Sequence, residues 1–171
     1  MIGSMKIVLA AVLTLGIGAG GIAIATGGLP GTSDETKEQT EAKSGKVALT
    51  IKSRSGAHAF KVEVAKTPAE QEKGLMFRTN IPKDEGMIFS PYPGEGGPPR
   101  DANFWMKNTP SPLDIIFIRA DGTIARIAEN TVPFSEVPIP SGEPVAAVLE
   151  INGGRSGELG IAEGDKVSWG K

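Results

Sequence analysis

The sequence predicts a mainly β fold, a compact sandwich or barrel-like domain with one short helix. Two observations carry this. Short apolar runs with period-two alternation recur along the chain from Val47 onward. Between them lie frequent turns, drawn from the 14 glycines and 12 prolines of that stretch.

Val47, Leu49 and Ile51 alternate with polar or small residues, as do Phe60, Val62 and Val64, and the turn Ser53 to Gly56 makes them a hairpin. Thr67-Pro68-Ala69-Glu70 follows. Thr67 is placed to cap a helix, Pro68 suits its first position and Glu70 completes a capping box. The helix stops at Gly74 and, at about two turns, needs packing on the sheet to persist. Met87-Ile88-Phe89 reads as a strand and Ser90 to Asn103 as a long Pro- and Gly-rich loop, either functional or a tolerated insertion. The chain is expected to return to strand over Phe104 to Lys107. Ile115 to Ile118 and Thr123 to Ile127 form a hairpin around Asp121-Gly122. Pro133 to Pro144 reads as another excursion, Val145 to Ile151 as a buried strand and Lys166 to Trp169 as the last strand.

Three segments organise the chain. Residues 1–25 hold one charge, Lys6, and an apolar stretch ending in the small-x-small site Ala23-Ile24-Ala25, the pattern of a secretory signal peptide or, uncleaved, a membrane anchor. Residues 26–46 read as a flexible linker and residues 47–171 as a single β domain. Both N-terminal readings place the domain outside the cytoplasm, in the periplasm of a bacterial host, with membrane contact only through an uncleaved N-terminal segment.

Composition excludes several function classes. The 18 Lys and Arg against 20 Asp and Glu leave no electrostatic footprint for nucleic acid. The absence of cysteine removes disulfides, thiolate metal sites, a cysteine nucleophile and a lipidated cysteine. One histidine, His58, rules out a multi-histidine zinc site, and it reads as an exposed residue of the first hairpin turn. No sequence pattern calls for a cofactor.

The chemistry concentrates in Phe104-Trp105-Met106-Lys107-Asn108-Thr109 and the strand after it. By alternation Asp114 shares a face with Ile116 and Ile118, and Glu150 with Ala146 and Val148. A carboxylate on an apolar strand face is costly unless paired or hydrogen-bonded. Arg78 and Lys107 are the cations at hand, so Arg78, Lys107, Asn108, Asp114 and Glu150 are expected to lie near one another. Three readings stay open. In a purely structural network, Asp114 bonds the Thr109 to Ser111 turn and Glu150 pairs with Arg78. In a binding pocket, Lys107, Asn108, Asp114 and Trp105 hold a small polar ligand such as a saccharide. In a glycoside hydrolase, Asp114 and Glu150 are the paired carboxylates, which must face one cleft. An oxygen-ligand cation site at the same two acids is a weaker variant.

Gly74-Leu75-Met76-Phe77-Arg78, Gly86-Met87-Ile88-Phe89, Phe104 to Thr109 with Pro112-Leu113-Asp114, Val148-Leu149-Glu150 and Gly164-Asp165 resemble the family called domain of unknown function 192. The resemblance spans nearly all of Val47 to Trp169. It implies a compact sandwich-type β fold with a short helix and frequent export, and no established reaction, cofactor or substrate. The family's motif charges fall on Arg78, Lys107, Asp114 and Glu150. The chain departs in a longer loop before Phe104 and in Pro110, both next to the expected site.

Overall fold

The alternating apolar residues of the first two strands meet across a hairpin, and the rest of the fold grows from that pair. In the computed structural model, which describes residues 45–170, β1 (Lys46–Ser53) and β2 (Gly56–Ala65) pair antiparallel with Leu49 opposite Phe60. The remaining strands are β3 (Glu85–Phe89), β4 (Arg100–Phe104), β5 (Leu113–Ile118), β6 (Ile124–Ala128), β7 (Ile139–Val145), β8 (Ala147–Asn152) and β9 (Lys166–Trp169). The helices are α1 (Pro68–Lys73) and α2 (Arg155–Leu159).

Seven strands form one sheet in the order β6-β5-β8-β3-β2-β1-β9. The sheet curls, because its two ends are joined: the Ile124 N–H donates to the Asp165 carbonyl at 2.9 Å and the Val167 N–H to the Gly122 carbonyl at 2.8 Å. Curling gives the sheet an inner face packed with Leu49, Ile51, Phe60, Val62, Ile88, Ile116, Leu149 and Ile151. On the other face of β3, β5 and β8, the two-stranded ribbon β4-β7 covers a second cluster that includes Phe89, Ile115, Phe117, Val148, Met106 and Val145. Every residue of β5 is therefore buried. This explains a strand that reads as a continuous apolar run rather than a clean alternation.

The mainly β expectation holds, as do the first hairpin, the β5-β6 hairpin and the capped helix. The Thr67 side chain accepts from the Glu70 N–H at 3.3 Å, and Glu70 Oε2 accepts from the Thr67 N–H at 2.9 Å. Four details differ. First, α1 buries none of its residues. It is held by its caps and by Gln71, whose amide donates to the carbonyls of Ala65 at 3.1 Å and Pro91 at 2.7 Å. Second, the strand expected over Phe104 to Lys107 lies earlier, at β4, so Trp105 falls in the loop beyond it. Third, the Pro133 to Pro144 excursion contains β7, where Pro140 and Pro144 are tolerated because the ribbon has only one ladder to satisfy. Fourth, α2 was not expected: its N-cap is Gly154 in the left-handed conformation, with no side-chain cap to announce it. The signal or anchor segment and nearly all of the linker lie outside the described residues.

Candidate functional site

Glu150 stands at the centre of the site. Its cross-strand neighbours are Met87 on β3 and Ile115 on β5, so its side chain leaves the sheet among apolar residues on the face toward the ribbon. Its exposure is 5%. The Leu75 backbone N–H supports the carboxyl group, and among the described residues nothing bonds Oε2. Burial without a cation pushes the carboxyl up to about 8, and the Leu75 hydrogen bond offsets only part of that rise. Gly74, at φ 46°, makes room for this arrangement: a side chain there would sit 3.1 Å from Phe89 Cζ and 3.5 Å from Glu150 Oε2.

The raised value has a consequence for stability. Between the ordinary value of 4.5 and about 8, the folded chain keeps the Glu150 proton while the unfolded chain has released it. Stability therefore falls as pH rises through that window, with a slope on the order of 1 kcal/mol per pH unit. Urea titrations at pH 5, 6.5 and 8 are expected to show that slope. Glu150→Gln, which has no proton to lose, is expected to flatten it.

Glu150 lines a cleft of about 340 Å³ between α1 and the Gly74 to Met76 turn on one side and the Ser90 to Asn103 loop, β4 and Trp105 on the other. Gln71, Tyr92, Asn103 and Thr109 contribute polar atoms. The charges at its walls are Glu72, Lys73, Glu95 and Arg100, the last two joined by a 2.7 Å ion pair. These four cancel, so the lining is neutral apart from Glu150. Trp105, 45% exposed, forms a wall shared with a neighbouring groove lined by Met76, Lys107 and Asn108. Lys107 Nζ lies 5.1 Å from the centroid of the Trp105 ring, within cation–π range.

The five polar residues expected to converge do not form one cluster. Asp114 pairs in register with Ile151 and so faces the inside of the curled sheet, opposite to Glu150. It is fully buried, and its partners are the backbone N–H groups of Asn130, Gly154 and Ser156, each at 2.7 Å, rather than the Thr109 to Ser111 turn. Arg78 shares the outer face but pairs with Glu63, at 3.0 and 2.9 Å, instead of Glu150. Glu63 is opposite Met87, so Met87 separates that ion pair from Glu150. With Asp114 and Glu150 on opposite faces, neither a glycosidase pair nor a cation site can be built from them. His58 lies on β2 rather than in the turn, and its Nε2 is 2.9 Å from Ser53 Oγ and 3.0 Å from Ser55 Oγ.

Sequence reasoning missed the walls supplied by Gln71, Tyr92, Arg100 and Asn103. The length and Pro content of Ser90 to Asn103 were the available signal, since three of the four belong to that loop and the strand that ends it. Two further residues hold unusual backbone. Phe77 and Phe134, at φ 64° and 60°, are 71% and 63% exposed. Their N–H groups donate to the Asn108 and Thr109 carbonyls at 2.8 and 3.1 Å, which pins the Trp105 to Thr109 loop from two sides.

A second opening, about 800 Å³, lies elsewhere on the molecule and is lined by Val47, Val64, Ala146, Val167 and Trp169 with Lys66 and Arg119. It contains none of the candidate site residues expected from the sequence.

Comparison with known proteins agrees with this architecture. The family model for domain of unknown function 192, described as an uncharacterized ACR, matches residues 49–169. A crystal structure of a protein of unknown function from Novosphingobium aromaticivorans is 52% identical with a TM-score of 0.68, over 72% of this chain and 85% of that one. A second, from Sinorhizobium meliloti and described as a candidate transcription regulator, is 44% identical with a TM-score of 0.67, over 72% of this chain and 93% of that one. No curated protein matches. With the matched residues running from β1 to β9 and two solved relatives sharing the fold, the chain belongs to the uncharacterised family of domain of unknown function 192.

Proposed function

We propose that this protein is an exported envelope domain that binds a small, uncharged polar ligand of saccharide type in the cleft between α1 and Trp105. The observation that carries the reading is an exposed Trp105 standing over a cleft lined by the buried Glu150, whose Oε2 has no partner among the described residues. An aromatic face at a rim gives a pyranose ring apolar contact, and a few polar atoms below it orient the ligand. Lys107 lies near the Trp105 ring, and its ammonium and the Asn108 amide offer polar contacts in the adjoining groove. Asp114 and Arg78 take no part in ligand contact in this reading.

The apolar segment before Asp34 supports export, to the periplasm in a bacterial host. N-terminal sequencing of the envelope form is expected to read from Thr26; a chain that still carries Lys6 would show an anchor instead.

Isothermal titration against a panel of envelope sugars tests the cleft. At least one is expected to bind wild-type protein, and Trp105→Ala is expected to weaken it about tenfold. The same variant should change stability by less than about 0.5 kcal/mol, because the ring is on the surface. Tryptophan fluorescence in a Trp169→Phe background isolates the ring under test. Unchanged affinity in the alanine variant would remove Trp105 from the site, and a panel without binding would remove the reading.

A further inference from the structure

We propose that the cleft recognises an acceptor oxygen of its ligand through the neutral acid form of Glu150, so that occupancy is lost when that acid ionises. The inference rests on the cleft reading above and assigns the chemistry of its floor. The argument is geometric first. A carboxyl group enclosed by Met87, Ile115, Leu75 and Phe89 has one supporting donor, the Leu75 N–H, and one oxygen without any partner among the described residues. A buried polar atom of this kind is rare in native proteins and calls for a specific explanation.

The surrounding charges decide which form the group takes. On its own sheet face lies Arg78, which Glu63 already engages with both oxygens. From the loop and β4 come Tyr92, Glu95 and Arg100, and Arg100 is paired with Glu95. From α1 come Glu72 and Lys73, of opposite sign, and Lys107 lies by the Trp105 ring in the adjoining groove. Among the described residues no cation pairs with Glu150, whose one supporting bond is the Leu75 N–H. The carboxylic acid is then the form that burial favours, in agreement with its rise to about 8. An acid has one O–H to donate, and Oε2, buried in a side chain that lines the cleft, is the oxygen without a partner among the described residues. The complementary ligand atom is an ether, hydroxyl or carbonyl oxygen on an uncharged molecule.

The test is calorimetric titration of the full-length protein with a disaccharide of N-acetylglucosamine at pH 6 and pH 9.5. Wild type is expected to bind at pH 6 and to weaken about tenfold or more at pH 9.5, where the acid is largely ionised. Glu150→Gln keeps the shape and supplies an amide N–H without a titration, so it is expected to bind alike at both values. Glu150→Leu, which has no donor, is expected to lose binding at both. A purely structural Glu150 would not flatten the pH profile on conversion to Gln. No wild-type binding at pH 6 overturns the cleft reading for this sugar class and this inference with it. Equal wild-type affinity at both values overturns the inference alone. So does a Gln variant that keeps the wild-type loss, since another group would then be titrating.

Discussion

Asp114→Ala is expected to destabilise the protein by about 3 kcal/mol, because it leaves one buried and two part-buried backbone donors without their acceptor, and a fully buried donor costs roughly 1–3 kcal/mol. Asp114 Oδ1 takes the N–H groups of Asn130 and Gly154, and Oδ2 takes that of Ser156. One carboxylate therefore stitches the chain after β6 to the start of α2. A five-residue helix without a side-chain cap has little else to fix it. Urea denaturation measures the loss, and Asp114→Asn, with a single acceptor oxygen, is expected to fall between alanine and wild type. A loss below about 1 kcal/mol would show that water takes over these donors and that the stitch is dispensable. Ligand binding at the cleft should survive the asparagine change, since Asp114 faces the opposite side of the sheet from Glu150.

The second large effect is expected at Gly86. A Cβ at this position would lie 2.1 Å from the Glu150 carbonyl oxygen and 3.1 Å from Ile151 Cγ2. Gly86 sits between β2 and β8, opposite Val62 and Ile151, with neighbours hydrogen-bonded on both sides. No side chain can swing aside, because the obstacle is backbone, so β3 and β8 would have to separate. Gly86→Ala is expected to cost at least about 3 kcal/mol, or to prevent folding, as judged by circular dichroism and denaturant midpoint. A variant as stable as wild type would overturn the close apposition of β3 and β8 at this point.

Much of the frame was legible because it rests on local signals. Alternation in Val47 to Ile51 and Phe60 to Val64 marked the first hairpin, and Asp121-Gly122 marked the β5-β6 turn. Thr67, Pro68 and Glu70 marked α1 through backbone groups within four residues of one another. The site was only partly legible. Alternation correctly flagged Asp114 and Glu150 as carboxylates that leave apolar faces, and Trp105 does line a cleft. The expectation that the charged residues gather around one centre failed for a physical reason. An inward-facing carboxylate needs donors, and for Asp114 those came from main-chain N–H groups 16, 40 and 42 residues away. Backbone donors are present at nearly every residue and leave no trace in a sequence.

By itself, then, the sequence determined the family, the β character of the domain and which side chains would be buried against their chemistry, since these follow from periodicity and from the cost of burying charge. The tertiary structure alone decided that the two carboxylates took opposite faces, because this is a matter of register between β5 and β8, and a one-residue shift would bring both to one face. It also decided that Arg78 would serve Glu63 and leave Glu150 without a cation. That choice depends on which strand is laid beside which, and it turns a buried glutamate into an acid facing the cleft.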